Sequence, residues 1–276
     1  MQATVHARLI LPASWSTAPT RTYPALYLMA GLAFDHLDWQ QWTRYTPIEA
    51  FMRGRNVLTV MPQDGDDGDD TDWIGPSVQS PSMPRWETFH TGELPQLLAR
   101  NFRASGVNAI AGISEAALGT IGYPARHPGL FRASATFSGL LDLGAPDSVI
   151  SVLGAEIRAS DNPLGPFGDP VTDAAVWRAH DPMALIGALK ANHVRLWICA
   201  GNGIPGPADP GFDLVGSILE IGALPQSEAF AAAAARAGLA LSTDFYGPGL
   251  HNWPAWGLAL PNAWATTLAP ALGVPG

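Results

Sequence analysis

A chain of 276 residues that is 47% hydrophobic can bury one large core, and it suits a single domain over 1–276 better than two small ones. Its net charge of −9, from 24 acidic and 15 basic residues with Lys190 the only lysine, leaves no basic footprint for nucleic acid. No apolar run reaches about 18 residues, so no membrane span is expected. The single cysteine, Cys199, allows no internal disulfide. Met1 to His6 carries no basic segment leading into an apolar stretch, so no signal peptide is expected in this sequence.

Short apolar runs alternate with helical stretches along the chain. Residues 25–29 form the first run, and Ala30-Gly31-Leu32-Ala33 after it has the glycine of a turn that lets backbone approach another group. A helix is predicted over 47–53 and a strand over 56–61. Residues 64–72 read Asp-Gly-Asp-Asp-Gly-Asp-Asp-Thr-Asp, a charge density that suggests calcium. Gly68 occupies the third ligand position of an EF-hand loop, however, and no glutamate closes it. A solvated acidic loop is therefore expected, and no metal is assigned. A helix over 88–102 leads to a strand over 107–111. Further strands follow at 133–137, 194–199 and 241–246, with helices at 183–191 and 229–237. Runs apolar on both faces mark central parallel strands. Strands alternating with helices make an α/β fold, a mostly parallel central sheet with helices on both faces. Such sheets place their chemistry at the carboxyl ends of the strands.

One pentapeptide turns that expectation into chemistry. Gly112-Ile113-Ser114-Glu115-Ala116 lies between the strand at 107–111 and a helix predicted over 116–127. A serine on a strand-to-helix turn is held in a strained conformation, and only small residues two positions to either side avoid a clash. This is the nucleophile elbow of the α/β-hydrolase fold, G-x-S-x-G with alanine in the last position. A serine hydroxyl is a weak nucleophile and needs a base, which an acid must orient. In this fold the chain order is Ser, then Asp or Glu, then His. His127, His180, His193 and His251 follow Ser114. The first falls at the end of the elbow helix, and the next two precede the strand at 194–199. His251 lies in the loop after the last strand, where the fold carries its base. The acid should follow the strand ending at Cys199. Asp209, Asp213 and Glu220 all do, and periodicity does not rank them. An oxyanion hole needs two backbone N–H groups. Glu115 supplies one as the residue after the nucleophile, and Leu32 in the early loop is the candidate for the other. The Glu115 carboxylate is expected to face outward, because beside the nucleophile it would add negative potential.

Segments across most of the chain resemble the antigen 85 family of secreted mycolyltransferases of mycobacteria and corynebacteria, with this chain a divergent member. Residues 24–28 lead into Gly31-Leu32. Trp86-Glu87-Thr88-Phe89 runs on to Glu93-Leu94-Pro95-Gln96. Arg195-Leu196-Trp197 precedes Gly201-Asn202-Gly203, and His251-Asn252-Trp253 is followed by Trp256-Gly257. The resemblance implies an α/β-hydrolase that moves a long-chain mycolic acyl group between trehalose esters, or onto a cell-wall sugar, through an acyl-serine. It implies no cofactor. It also implies an acyl ester donor, an alcohol or sugar acceptor, contact with cell-envelope lipids, and export to the cell envelope. The family's triad is Ser, Glu, His, and its Leu-Glu pair ten residues before a phenylalanine matches Leu219-Glu220 and Phe230. That selects Ser114, Glu220 and His251, and it supports Leu32 and Glu115 as oxyanion donors. Trp253 matches a sugar-contacting tryptophan.

Three positions depart from the pattern. Ala30 and Ala33 replace a sugar-binding Asp and Arg, and Tyr45 stands before Thr46-Pro47 where the family has an asparagine facing the sugar. Loss of these partners points to a weaker hold on trehalose. An esterase, or an acyltransferase with another acceptor, is therefore the alternative reading, and a non-catalytic carbohydrate- or matrix-binding paralogue is the second. The family's active-site cysteine aligns with Ala200. Cys199, one residue earlier on the strand, faces the other way and belongs to the core.

Overall fold

The computed structural model describes residues 4–33, 37–65, 69–80 and 82–276. Asp66, Asp67 and Gly68 of the acidic loop lie outside the described residues. Among the described residues, β1 (Ala7–Ile10), β2 (Tyr23–Met29), β3 (Leu58–Pro62), β4 (Ala104–Ile113), β5 (Ala133–Phe137), β6 (Arg195–Gly201) and β7 (Leu241–Gly247) form one sheet. Its spatial order is β1-β3-β2-β4-β5-β6-β7. β1 runs antiparallel to β3, and every other pairing is parallel. The sheet is thus the mostly parallel α/β-hydrolase sheet that the alternating pattern predicts. β1 is absent from that prediction because a four-residue edge strand with partly exposed side chains leaves no apolar run.

β3 and β5 are buried along their whole length because helices cover both faces. One face packs Trp42, Phe137, Trp197, Trp256 and Trp264. The other packs Tyr27, Phe89, Leu94, Tyr123 and Phe131. Cys199 is wholly buried in the first of these cores. Burial, then the nearby Glu220 and Asp244, push its thiol well above the ordinary range, so it stays protonated and unreactive. Trp42 also donates its indole N–H to the Met29 carbonyl at 2.9 Å, which pins the end of β2. The Ala30–Ala33 loop continues from that end.

Several helices differ from their predicted extents. The 88–102 helix begins at Trp86–Thr88, passes through a π-helical turn at Phe89–Glu93 and ends as Leu94–Phe102. The predicted 229–237 helix is the last part of a much longer one, Leu214–Ala237. Pro225 reads as a helix breaker in sequence. Here tertiary packing of Glu220, Ser227 and Phe230, all buried, carries the helix through it. Helix Pro146–Ala159 has no predicted counterpart, and its exposed Ile150 and Ile157 blur its periodicity. The carboxyl ends of β2, β4, β5, β6 and β7 share one edge of the sheet, and the loops leaving them carry the candidate residues.

Candidate active site

β4 ends at Ile113, and Ser114 opens a 3₁₀ turn, Ser114–Ala116, that feeds the elbow helix Ala117–Arg126. Ser114 has φ +53°. A left-handed residue with a side chain costs about 1–2 kcal/mol and persists only where its surroundings fix it. Gly112 provides that closure. A Cβ there would sit 2.2 Å from Thr120 Oγ1 and 3.2 Å from Ala116 Cβ, so strand and helix can meet only over glycine. The Ser114 carbonyl accepts the Leu140 N–H at 3.0 Å, which holds the far side of the turn. Gly31 brings the early loop equally close: a Cβ there would lie 3.1 Å from Ser114 Cβ.

His251 precedes helix Trp253–Ala263, whose first turn is capped by the Asn252 side chain accepting from Ala255 N–H at 3.1 Å. The His251 backbone N–H donates to the Gly216 carbonyl at 3.1 Å, tying this loop to the long helix. Its Nε2 is 2.8 Å from Ser114 Oγ. Its Nδ1 is 2.8 Å from Glu220 Oε2. Glu220 is fully buried. Its Oε1 accepts from Ser138 Oγ at 2.7 Å and from the Gly201 N–H. Ser138 Oγ in turn accepts the Trp256 indole N–H at 3.0 Å. The Trp256 ring stands edge-on to the imidazole, with centroids 4.9 Å apart. Both carboxylate oxygens thus have donors, the condition for keeping a buried charge.

The structure therefore brings Ser114, Glu220 and His251 into one hydrogen-bonded chain. The other acids have different work. Asp213 caps the long helix, accepting from Val215 N–H at 3.0 Å, and Asp209 accepts from Asn252 Nδ2 at 2.6 Å. His127 Nε2 pairs with Glu87 at 2.7 Å, and His180 Nε2 lies 3.1 Å from Thr71 Oγ1. Leu32 and Glu115 both line the cleft at Ser114. The Glu115 side chain is a correction: it is buried (5% exposed) rather than turned outward to solvent. Ser138 and Trp256 have no assigned role in the sequence reading. The Trp256 match gives no hint of one, and Ser138, at φ +50°, shows its role only through the fold.

Two lobes open from Ser114. One, of about 500 Å³, runs between helices Pro146–Ala159 and Leu214–Ala237 and presents Leu140, Ile150, Ile218 and Ile221. The other, of about 450 Å³, presents Gln41, Arg158, Asn252 and Trp253. Leu32, Ser114, Leu219 and His251 belong to both. Trp253 stacks on Tyr45, with centroids 5.6 Å apart and planes 27° off parallel. Ala30 and Ala33 are buried. Away from this cleft, Asp64, Asp69 and Asp70 of the acidic loop are also buried, between 2% and 3% exposed for the first two and 1% for the third. The solvated loop expected from sequence is thus corrected for its described residues: Asp64 and Asp70 lie inward, beside the π-helical turn and the elbow helix.

The sheet and the strained elbow at its carboxyl edge place the protein in the α/β-hydrolase class. The "Esterase" family, described as "Putative esterase", matches residues 1–267. A diacylglycerol acyltransferase/mycolyltransferase Ag85B from Mycobacterium intracellulare is 31% identical over 261 residues, covering 91% of this chain and 76% of that protein. Ag85A from Mycobacterium ulcerans is 33% identical, covering 91% and 74%. Among solved structures, Mycobacterium tuberculosis MPT51 (FbpC1) superimposes with TM-score 0.76 at 22% identity, covering 94% of this chain and 90% of that one. The S-formylglutathione hydrolase FrmB from Staphylococcus aureus superimposes with TM-score 0.62 at 18% identity, covering 94% and 91%. The chain belongs to this esterase family and to its antigen 85 branch, and it is an enzyme of the acyltransferase and esterase type.

Proposed function

We propose that the protein transfers a long-chain acyl group through an acyl-Ser114 intermediate, with His251 as general base and acid and Glu220 holding the imidazole. The observation that carries this reading is the unbroken chain of contacts, 2.8 Å from Ser114 Oγ to His251 and 2.8 Å from His251 to Glu220. Ser114 Oγ attacks the ester carbonyl as its proton passes to His251 Nε2. The Leu32 and Glu115 N–H groups stabilise the oxyanion. The tetrahedral adduct collapses, and His251 returns the proton to the departing alcohol. An acceptor alcohol, or water, then gives its proton to His251 and attacks the acyl carbon, and His251 returns that proton to Ser114 Oγ as the acyl–serine bond breaks. The apolar lobe between the two helices suits an alkyl chain, and the lobe at Trp253 suits the acceptor. By likeness to relatives named as mycolyltransferases, the donor is a mycolyl ester, and the antigen 85 resemblance supports the cell envelope as the place of action. No helix of the described residues is long and apolar enough to cross a membrane.

A second reading of the acceptor has its own support. Tyr45 lies flat on Trp253, and Ala30 and Ala33 offer no side-chain hydrogen bond. An acceptor with an apolar face fits this wall better than trehalose does. Two measurements test both readings together. Ser114→Ala should abolish fluorophosphonate labelling and lower ester turnover about 10⁶-fold, the usual loss for a serine nucleophile. Unchanged turnover refutes the nucleophile. Mass spectrometry of products from trehalose monomycolate and from a short synthetic ester, with and without trehalose, identifies the acceptor. A trehalose diester formed only with Ser114 intact supports the first reading, and free acid or another ester supports the second.

A further inference from the structure

The acidic loop holds a cluster that the acyl chemistry does not use. His90 is wholly buried on the π-helical turn, the kind of helix irregularity that often marks a functional position. Its Nε2–H donates to the Gln63 carbonyl at 2.8 Å, which fixes the tautomer and makes Nδ1 an acceptor that takes the Tyr123 O–H from the elbow helix. Burial holds its pKa at about 4, so the imidazole is neutral. Nδ1 stands 3.9 Å from Asp64 Oδ1, 3.8 Å from Asp70 Oδ1 and 2.9 Å from the Tyr123 phenol oxygen. The phenol also lies 3.4 Å from Asp70 Oδ1, and the Asp70 N–H donates to Asp64 Oδ2 at 3.1 Å.

Asp70 is the unbalanced member. It is 1% exposed and its φ is +52°; its Oδ2 turns to the elbow helix beside Gly119, while its Oδ1 faces His90 Nδ1 with the Tyr123 phenol 3.4 Å away. It abuts the elbow helix so closely that a Cβ on Gly119 would lie 2.5 Å from Oδ2. A buried carboxylate needs a partner or a cation. The ligand atoms of Asp64, Asp70 and His90 lie within 4.8 Å of one another. An ion bound at about 2.0–2.2 Å sets its neighbouring ligands roughly 3–4 Å apart, which matches the separations from His90 Nδ1.

We propose that Asp64, Asp70 and His90, with the Tyr123 phenol as a fourth ligand, form a structural site for a divalent ion of the zinc or manganese type. Two carboxylates and one imidazole suit those ions. Calcium, which takes six to eight oxygens, does not suit them. The ion joins three segments: the acidic loop, the π-helical turn and the elbow helix that Ser114 opens. Its role is to fix the loop, and no step of acyl transfer passes through it.

The test uses the full chain. Protein purified without chelator is analysed for metal by mass spectrometry, then stripped, and the melting temperature is followed as zinc, manganese or calcium is added singly. The expected result is about one zinc or manganese per chain. The melting temperature should rise by about 5 °C or more when the ion is in large excess over its dissociation constant, with no response to calcium. His90→Gln, which can still bond Gln63 and Tyr123, and Asp70→Asn should lose both the stoichiometry and the rise. Calorimetric titration of the stripped wild-type chain decides the matter if either variant fails to fold. Absence of stoichiometric uptake, with a melting temperature indifferent to all three ions, overturns the site.

Discussion

Ser138 offers the sharpest test of how the site is held. Its hydroxyl donates to the buried Glu220 Oε1 at 2.7 Å and receives the Trp256 indole N–H at 3.0 Å. Ser138→Ala removes a hydrogen bond to a charged group, worth about 1.5–3 kcal/mol, and leaves the Trp256 donor unmatched. Glu220 keeps the Gly201 N–H and His251, so the carboxylate loosens without leaving. Transition-state stabilisation depends on that carboxylate fixing the imidazole. At 1.36 kcal/mol per decade, the loss translates to a kcat/KM lower by about 10- to 100-fold, carried by kcat. Hydrolysis of p-nitrophenyl butyrate measures it. Ser138→Gly provides the control. It also lacks the hydroxyl, but it relaxes the φ of +50°, and so should be more stable than the alanine variant by about 1 kcal/mol while equally slow. Denaturant midpoints separate the two effects. If both variants keep kcat/KM within twofold of wild type, Ser138 is not a positioning residue and the argument fails.

Tyr45→Asn should free the outer face of Trp253 and raise trehalose-dependent product formation several-fold over hydrolysis, read as the ratio of trehalose diester to free acid; an unchanged ratio means Tyr45 does not set acceptor choice. Glu87 predicts an acid limb of stability. Burial alone would raise its carboxyl, but hydrogen bonds from His127 and Arg126 and their charges hold it down at about 2 from an ordinary 4.5. A depressed carboxylate contributes its stability above the unfolded pKa and loses it as pH falls toward the folded one. About 3 kcal/mol should therefore disappear between roughly pH 4.5 and 2, and urea midpoints of Glu87→Gln should lack that slope. Gly112→Ala must displace Thr120, whose Oγ1 would lie 2.2 Å from the new Cβ, at a cost of about 1–3 kcal/mol in overpacking. A denaturant midpoint equal to wild type would show that the elbow has slack there.

Chain order and local pattern made the sheet, the elbow and His251 readable, because each depends on neighbours in sequence. The acid was not readable from the residues alone. Glu220 lies inside a helix between Leu219 and Ile221, whereas Asp209 and Asp213 stand nearer the strand and look better placed. Only the path of Leu214–Ala237 back over the end of β6 selects it, and the family resemblance supplied that choice indirectly. Ser138 and the burial of the Glu115 side chain escaped for the same reason: one residue lies just after β5 and the other just after the nucleophile, and neither position says what faces it across the fold. The acidic loop misled more strongly. Aspartates at such density read as solvated, and the partners beside which Asp64 and Asp70 lie buried, His90 and Tyr123, sit on other elements.

Under the proposed mechanism, the two lobes decide the fate of the acyl-enzyme. Both meet at Ser114 and His251, so an acyl chain seated between Ile150 and Ile221 leaves the Trp253 lobe as the route for whatever attacks next. Water needs no binding energy to enter, whereas an alcohol competes only if that lobe concentrates it. A sugar does so through hydroxyl partners; Ala30, Ala33 and Tyr45 supply few where the family has Asp, Arg and Asn, which leaves Gln41, Arg158 and Asn252 of this lobe. The Trp253 ring that lines this lobe, with Tyr45 stacked on it, suits a flat or apolar alcohol instead, since such surfaces gain roughly 25 cal/mol for each Å² taken out of water. On this reading the departures from the family alter the acceptor and leave Ser114, Glu220 and His251 to do the same acyl chemistry.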